Sequence, residues 1–239
     1  MVKQGDCGVL SGGLYGFHDL TRRKPKENIP QRPCICGVVV VGRDVWNLDK
    51  LMMCATAFAK LFNYSYRCII AKKGKTRELI IGFDEYHFHH LAGLKYLQDI
   101  HELHRNRQRV FRDIIASRIT LNRISESSNF SSCETRLNYL DKLENFMDSN
   151  FITFTWNKGK NSYSKIKGEY LLQNEIDDAT IYLFIDKNSD TFFGRSFFAK
   201  GLKDYTINQS KWTLLYKEKI NKRTNEVSVQ YDIITPMKK

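Results

Sequence analysis

Apolar positions along the chain change from helical spacing to alternation. Over three segments they recur at every third or fourth residue, as on the buried face of a helix. The predicted helices cover residues 48–62, with Asn47 as a cap, 94–119 and 133–148. Shorter segments between turn residues predict strands. They cover residues 64–71, 77–83, 151–156, 165–172, 180–185, 191–199, 212–220 and 227–233. Helices followed by closely spaced strands predict an α+β domain that ends in an antiparallel meander.

The first 44 residues differ in composition from the rest of the chain. They hold Pro25, Pro30 and Pro33 of the 4 prolines and half of the 14 glycines, a density that argues against regular structure. A basic run at residues 21–26 could hold phosphates, but it is more typical of a solvated arm. We therefore predict a poorly ordered basic arm at residues 1–44 and one folded domain at residues 45–239.

The charge balance is strongly basic. The chain has 38 Lys+Arg against 26 Asp+Glu, a formal net charge of +12. This excess predicts an anionic partner, either nucleic acid or an acidic membrane surface. Lysines that only keep the protein hydrated are the alternative.

Cysteines and apolar runs narrow the class of protein. The 6 cysteines are scattered, and Cys34 and Cys36 are the one close pair, which fits neither a zinc ribbon nor a disulfide framework. Cys54 and Cys68 fall in apolar patterns and are expected to be reduced core residues. The sequence shows no signal peptide and no run near the ~20 apolar residues of a membrane span. We expect a cytoplasmic protein without a cofactor or a membrane partner.

Three of the 6 histidines, His87, His89 and His90, follow the strand predicted at residues 77–83. Imidazole is the side chain best suited to moving protons near neutral pH, so the cluster is a candidate catalytic site. In an extended segment, His87 and His89 would share one face and His90 would take the other. The alternative is that His90 starts a helix and makes only a capping or core hydrogen bond.

A metal site is the other interpretation of these histidines. His101 and His104 stand three residues apart and could share a zinc ion on a helix. However, no cysteine pair or carboxylate cluster nearby completes a ligand set. We therefore predict no metal.

A resemblance to a known family points to a more specific class of protein. The histidines belong to the segment Phe88-His89-His90-Leu91-Ala92-Gly93-Leu94. In this segment an aromatic residue is followed by His-Leu-x-Gly-Leu and then by a predicted helix. This order resembles the signature of the phage-associated barnase/EndoU/colicin/RelE-like (BECR-fold) nucleases, in particular their fourth subgroup. The resemblance runs from about Asp49 to Tyr231, and residues 192–198 with Tyr205 and Gln209 look like the family's late strand with its serine and trailing glutamine. It implies N-terminal helices packed on a C-terminal antiparallel sheet, as in barnase and RelE.

The resemblance also implies roles for single residues. His90 matches the family's histidine and would be a general acid or base. Ser196 matches a small hydroxyl position and would bind phosphate or orient a proton, while Arg195 and Lys200 would stabilise charge on the phosphorane. Tyr205 or Gln209 would contact a base. No histidine follows His104 in the sequence, so a second proton carrier must be Tyr, Lys, Glu or water.

Further candidates come from the residue pattern. In a regular strand, Arg195 and Phe197 would share one face, and Ser196 and Phe198 would take the other. Lys165 lies in a predicted strand with basic and aromatic residues, and Arg118 ends a predicted helix. Both cations could contact phosphate or be solvated. The predicted substrate-binding residues are His87, His89, Lys200, Tyr205, Gln209, Lys165 and Arg118.

The activity implied by the family is metal-independent RNA cleavage. The ribose 2′-hydroxyl attacks the phosphate and leaves a 2′,3′-cyclic phosphate, so RNA is the expected partner. A toxin or effector of phage or mobile-element origin, with a cognate immunity protein and a cytoplasmic or virion-associated location, is the implied context. The alternatives are a non-catalytic nucleic-acid-binding module, a phage structural protein and, more remotely, a zinc hydrolase.

Overall fold

The computed structural model describes residues 49–161 and 163–235. The arm predicted at residues 1–44 and the predicted cap Asn47 lie outside the described residues. Within them the helices are α1 (Lys50–Lys60), α2 (Glu85–Leu91), α3 (Arg107–Ile115), α4 (Leu121–Ser125), α5 (Ser131–Leu140) and α6 (Leu143–Asp148). The strands are β1 (Tyr64–Lys72), β2 (Lys75–Gly82), β3 (Ile152–Thr155), β4 (Tyr170–Ile176), β5 (Ala179–Asn188), β6 (Thr191–Ala199), β7 (Ser210–Asn221) and β8 (Val227–Asp232).

The strands form one sheet that closes on itself. Its order is β1-β2-β6-β5-β4-β3-β7-β8, and β1 also pairs with β7, so seven strands make a mixed barrel with β8 on its edge. The strands β3 to β6 form an antiparallel meander. The β1–β2 hairpin joins this meander through a short parallel contact between Ile81 and Phe192.

The helices pack on the barrel around one main hydrophobic core. On α1, Leu51, Cys54 and Phe58 are 0% exposed and recur at helical spacing, and burying each large apolar side chain stabilises the fold by about 1.5–3 kcal/mol. A second, smaller cluster lies on the opposite face of the meander, where Tyr182 and Phe184 alternate with main-core residues of β5. Both faces of this part of the sheet are therefore buried.

The α+β class is confirmed, but the simple layered arrangement is found only in part. The C-terminal strands pair in antiparallel fashion as expected. The β1–β2 hairpin, which precedes most of the helices, belongs to the same sheet and closes it, so the sheet is not built from C-terminal strands alone. The predicted strand at residues 165–172 begins five residues later, at Tyr170.

Two helix predictions were wrong in extent. The helix predicted over residues 94–119 is replaced by 3₁₀ turns at Leu94–Tyr96 and His101–His104, followed by α3. The amide side chain of Asn106 accepts hydrogen bonds from Gln108 and Arg109 and so starts α3 as a separate helix. The helix predicted at residues 133–148 divides into α5 and α6.

The cysteine prediction is confirmed for two residues. Cys54 and Cys68 are both 0% exposed. Burial raises the pKa of each thiol to about 12, so both act as small core side chains. Among the described residues, no helix combines the length and apolar character needed to span a bilayer.

Candidate active site

The histidine motif forms the helix α2 rather than an extended segment, so the predicted alternation of its side chains was wrong. The main-chain N–H of Asp84 donates to His87 Nδ1 at 2.9 Å and fixes the start of the helix. In a helix, adjacent side chains lie about 100° apart. His87 and His89 are buried at 2% and 7% exposure, whereas His90 is half-buried.

Two glycines allow α2 to pack closely against β6 and α5. Gly194, in the middle of β6, lies so close to α2 that an added Cβ would stand 2.9 Å from Leu91 Cδ2. Gly93 ends α2 in the left-handed conformation, with φ of +79°, and a Cβ there would meet Arg136 Cδ at 2.8 Å. Side chains larger than hydrogen would separate α2 from β6 and α5. Gly194 therefore sets the distance between β6 and the helix that carries His90, and Gly93 sets the distance between the end of that helix and α5.

His90 lies among positive charges. The pKa of His90 is lowered to about 4, first by burial and then by the charges of Arg107, Lys95 and Arg195. These cations come from α3, from the turn after α2 and from β6. The ring is therefore neutral at pH 7 and can accept a proton, while the surrounding cations favour an anion beside it.

A β-bulge directs Arg195 out of the regular pattern of β6. The register passes from Ser196 opposite Phe184 to Gly194 opposite Ile185, which leaves Arg195 as the extra residue. The expectation that Arg195 shares a face with Phe197 was therefore wrong. Phe197 is 0% exposed and belongs to the main core. The Arg195 side chain is 31% exposed, and its Nε lies 3.4 Å from Asp186 Oδ2. The guanidinium also stands 5.7 Å from the Phe193 ring.

Ser196 follows Arg195 on the strand and is nearly buried, at 4% exposure. Its pairing with Phe184 puts its side chain on the face of the smaller aromatic cluster. On the same face stands Phe198, as expected from alternation, since it packs against that cluster.

Several aromatic rings and one guanidinium group pack around Phe198, near the end of β6. Arg136 of α5 stands 5.0 Å from the ring of Tyr96 and 5.5 Å from that of Phe198. Tyr205 packs on Phe198 with ring centroids 5.5 Å apart. We call Tyr96, Arg136, Phe198 and Tyr205 the stacking platform. Its rings are partly exposed and could contact an aromatic base.

The buried histidines have structural contacts. His87 stacks on Phe193, with ring centroids 4.9 Å apart and an angle of 9°, and its Nδ1 accepts from Asp84. Burial lowers the pKa of His87 to about 4. His89 Nε2 lies 3.1 Å from the carbonyl oxygen of Leu103 and must donate to it. These contacts hold both rings inside the protein, one and three residues before His90 in the sequence.

The other predicted residues have other partners. Lys200 forms an ion pair with Asp204 at 2.7 Å, and Asp204 also accepts from Tyr182. The Gln209 amide binds both the N–H and the carbonyl of Asn157, so it holds two loops together.

Two of the predicted cations belong to other segments than the three cations around His90. Arg118 binds Asp113 and follows the C-terminal end of α3, about 12 Å of helix from Arg107. Lys165 is exposed in the segment that precedes β4. The geometry therefore favours Arg107, rather than Arg118, as the cation from this part of the chain that lies near His90.

The described residues include no group of three His, Cys, Asp or Glu side chains placed to hold a metal ion. His101 and His104 have ring centroids 6.3 Å apart, and His104 Nε2 lies 3.0 Å from the carbonyl of Gln98.

Comparison with known families gives the site its context. The model of the family described as phage-Barnase-EndoU-ColicinE5/D-RelE like nuclease4 matches residues 50–233. The chain belongs to this family. No curated protein and no solved structure matches the chain.

Membership of this nuclease family directs attention to the contact between α2 and β6. The match includes both sequence motifs and all the residues around His90. Sequence reasoning found His90 and Arg195 but missed Lys95, Arg107 and Arg136 as part of one group. Arg107 is one of several closely spaced arginines that the sequence does not distinguish from one another, and Arg136 lies within an apolar repeat. Only the packing of α3 and α5 identifies these two residues as part of the site.

Proposed function

We propose that this member of the nuclease family is a metal-independent endoribonuclease that cleaves RNA through attack of the ribose 2′-hydroxyl. The observation that carries the proposal is the half-buried, neutral His90 with the cations Lys95, Arg107 and Arg195 around it. A neutral imidazole is a proton acceptor, and the cations favour the binding of a phosphate next to it.

The chemistry requires few groups. His90 takes the proton of the 2′-hydroxyl while the 2′-oxygen bonds to phosphorus, and the bond from phosphorus to the 5′-oxygen breaks. The leaving 5′-oxygen takes a proton from water, and the products are a 2′,3′-cyclic phosphate and a 5′-hydroxyl. Arg195 offers a guanidinium to the negative phosphorane, and Lys95 and Arg107 add positive potential. Since the nucleophile belongs to ribose, DNA is not a substrate.

The stacking platform supports the choice of a single-stranded substrate. Unpaired bases can leave a nucleic-acid strand and stack on aromatic rings or on a guanidinium plane, which is the common mode of RNA recognition. Tyr96 is 37% exposed, and the Arg136 guanidinium lies within 5.5 Å of the ring centroids of both Tyr96 and Phe198. In this proposal a base next to the cleaved bond stacks here. RNA as partner, a cognate immunity protein and a cytoplasmic location stay predictions.

The test is cleavage of an RNA and of a DNA of the same sequence, with a chelator present. The wild type should cut only the RNA, and His90→Ala should lose a factor of about 10²–10⁴ in rate. His101→Ala is the matched control, because His101 is exposed and should keep wild-type activity. Tight RNA binding without cleavage by folded wild-type protein would contradict the proposal and would favour a non-catalytic binding module.

A further inference from the structure

A cavity of about 200 Å³ opens next to the helix that carries His90. It lies between the two 3₁₀ turns that follow α2 and the start of α3. Cationic side chains line much of it, namely Lys95, Arg105 and Arg107. His89 and His104 complete its polar lining together with Gln98. We call this space the basic cavity.

The cations of the basic cavity differ from their neighbours in lacking acidic partners. Along α3 and the segment after it, the other arginines are bound to carboxylates. These ion pairs are Arg109–Asp113, Arg112–Glu85, Arg118–Asp113 and Arg123–Glu102. Among the described residues, Lys95, Arg105 and Arg107 form no ion pair. Their charges therefore remain available to an anion, and the N-terminus of the nine-residue helix α3 adds to the positive potential.

The wall of the cavity is built from fixed groups. His89, 7% exposed, donates from Nε2 to the carbonyl of Leu103 at 3.1 Å. Its Nδ1 is buried and has no hydrogen-bond partner among the described residues. His104 contacts the carbonyl of Gln98 from the other turn. These bonds hold the second turn to α2 and to the segment that follows the first turn, so the cations project from a defined frame.

We propose that the basic cavity holds a backbone phosphate of RNA adjoining the phosphate that is cleaved at His90. The inference rests on the proposed function, because Lys95 and Arg107 act on His90 and also line the cavity. A guanidinium pairs with phosphate through two parallel hydrogen bonds, and Arg105 is exposed and unpaired there for that contact. The site takes phosphate groups as a class and does not distinguish bases.

One arm of the test measures binding alone. A short 2′-O-methyl RNA, which cannot be cleaved, is titrated against the wild type, Arg105→Gln and Arg109→Gln. Arg109 carries the same charge four residues later, in α3, but pairs with Asp113, so its variant is the matched control. Arg105→Gln should weaken binding about five- to tenfold and lower the salt dependence by about 0.7 in slope. Equal affinities of the two variants would overturn the proposal, whether or not the protein cleaves RNA.

The second arm asks which phosphate is bound. A strand with one ribonucleotide in a 2′-O-methyl background fixes the register of cleavage, and a single neutral methylphosphonate replaces each neighbouring linkage in turn. One position should lower kcat/KM in the wild type and in Arg109→Gln, and by a clearly smaller factor in Arg105→Gln, where Lys95 and Arg107 are the remaining cations of the cavity. If inorganic phosphate competes with RNA in an Arg105-dependent way while no methylphosphonate has an effect, the cavity is a site for free anions and the backbone assignment is wrong.

Discussion

Replacing Gly194 by alanine tests whether the contact between α2 and β6 sets the site. The added Cβ would stand 2.9 and 3.2 Å from the two Leu91 Cδ atoms and 3.3 Å from Phe83 Cε1. Carbon atoms in contact prefer about 3.5–4.0 Å. The helix and the strand must therefore separate by roughly 0.5–1 Å, and His90 moves with the helix.

The cost follows from the burial of the neighbours. Leu91 and Phe83 are both 0% exposed, so neither side chain can turn into solvent. Overpacking of this kind costs about 1–3 kcal/mol. Gly201→Ala is the control, because nothing lies within 4 Å of its added Cβ, and it should change stability by no more than about 0.5 kcal/mol.

Urea unfolding of both variants gives the free energies, and RNA cleavage by the folded fraction gives the activity. Gly194→Ala should be less stable than Gly201→Ala by about 1–3 kcal/mol and should lose more activity than its unfolded fraction explains. Equal stabilities would refute the claim that Gly194 holds the two motifs together. A stable variant with full activity would refute the link between this spacing and catalysis.

Three further predictions concern single groups. The pKa of His87 is lowered from 6.5 to about 4 by burial, so this group should contribute up to about 3 kcal/mol to the loss of folding free energy between pH 6.5 and 4. In urea unfolding, His87→Leu should lose less free energy over this pH range than the wild type. Lys217 donates to the carbonyls of Met147, Asp148 and Ser149 at the end of α6, so Lys217→Met should cost about 2–3 kcal/mol and lower Tm. Because the pKa of His90 is about 4, kcat/KM should rise through that pH, and an acidic limb near 6.5 would argue against His90 as the base.

The sequence pattern locates strands better than it locates their closure. Alternation identified both strands of the β1–β2 hairpin and the strands of the meander, although β4 begins five residues later than predicted. Closure depends on the pairing of Tyr64–Lys72 with residues more than 140 positions later in β7. Such long-range pairing leaves no periodic trace in either strand.

The failure of the predicted helix at residues 94–119 has a local explanation. Its first apolar residues, Leu94, Leu97, Ile100 and Leu103, are spaced by three, and all are buried. An α-helix mixes spacings of three and four, whereas strict spacing of three matches the 3₁₀ period. The chain accordingly forms 3₁₀ turns there, which places Lys95 and Arg105 around a cavity rather than along a helix.

The candidate site was predictable where residue type and motif agree, as for His90 and Arg195. The β-bulge that reorients Arg195 depends on its pairing with β5 and could not be inferred from alternation. Likewise, Gln209 resembles a base-reading residue in the sequence but is bound to the Asn157 main chain. Hydrogen bonds between distant loops decide such cases.

Product analysis tests the central claim most directly. A strand with one ribonucleotide in a DNA background is incubated with wild-type protein and a chelator, and the ends of the products are identified. The proposed mechanism predicts one cut, a 2′,3′-cyclic phosphate on one product, a 5′-hydroxyl on the other, and no cut by His90→Ala. A 5′-phosphate product, a requirement for added metal ions or cleavage of the all-DNA strand would contradict it.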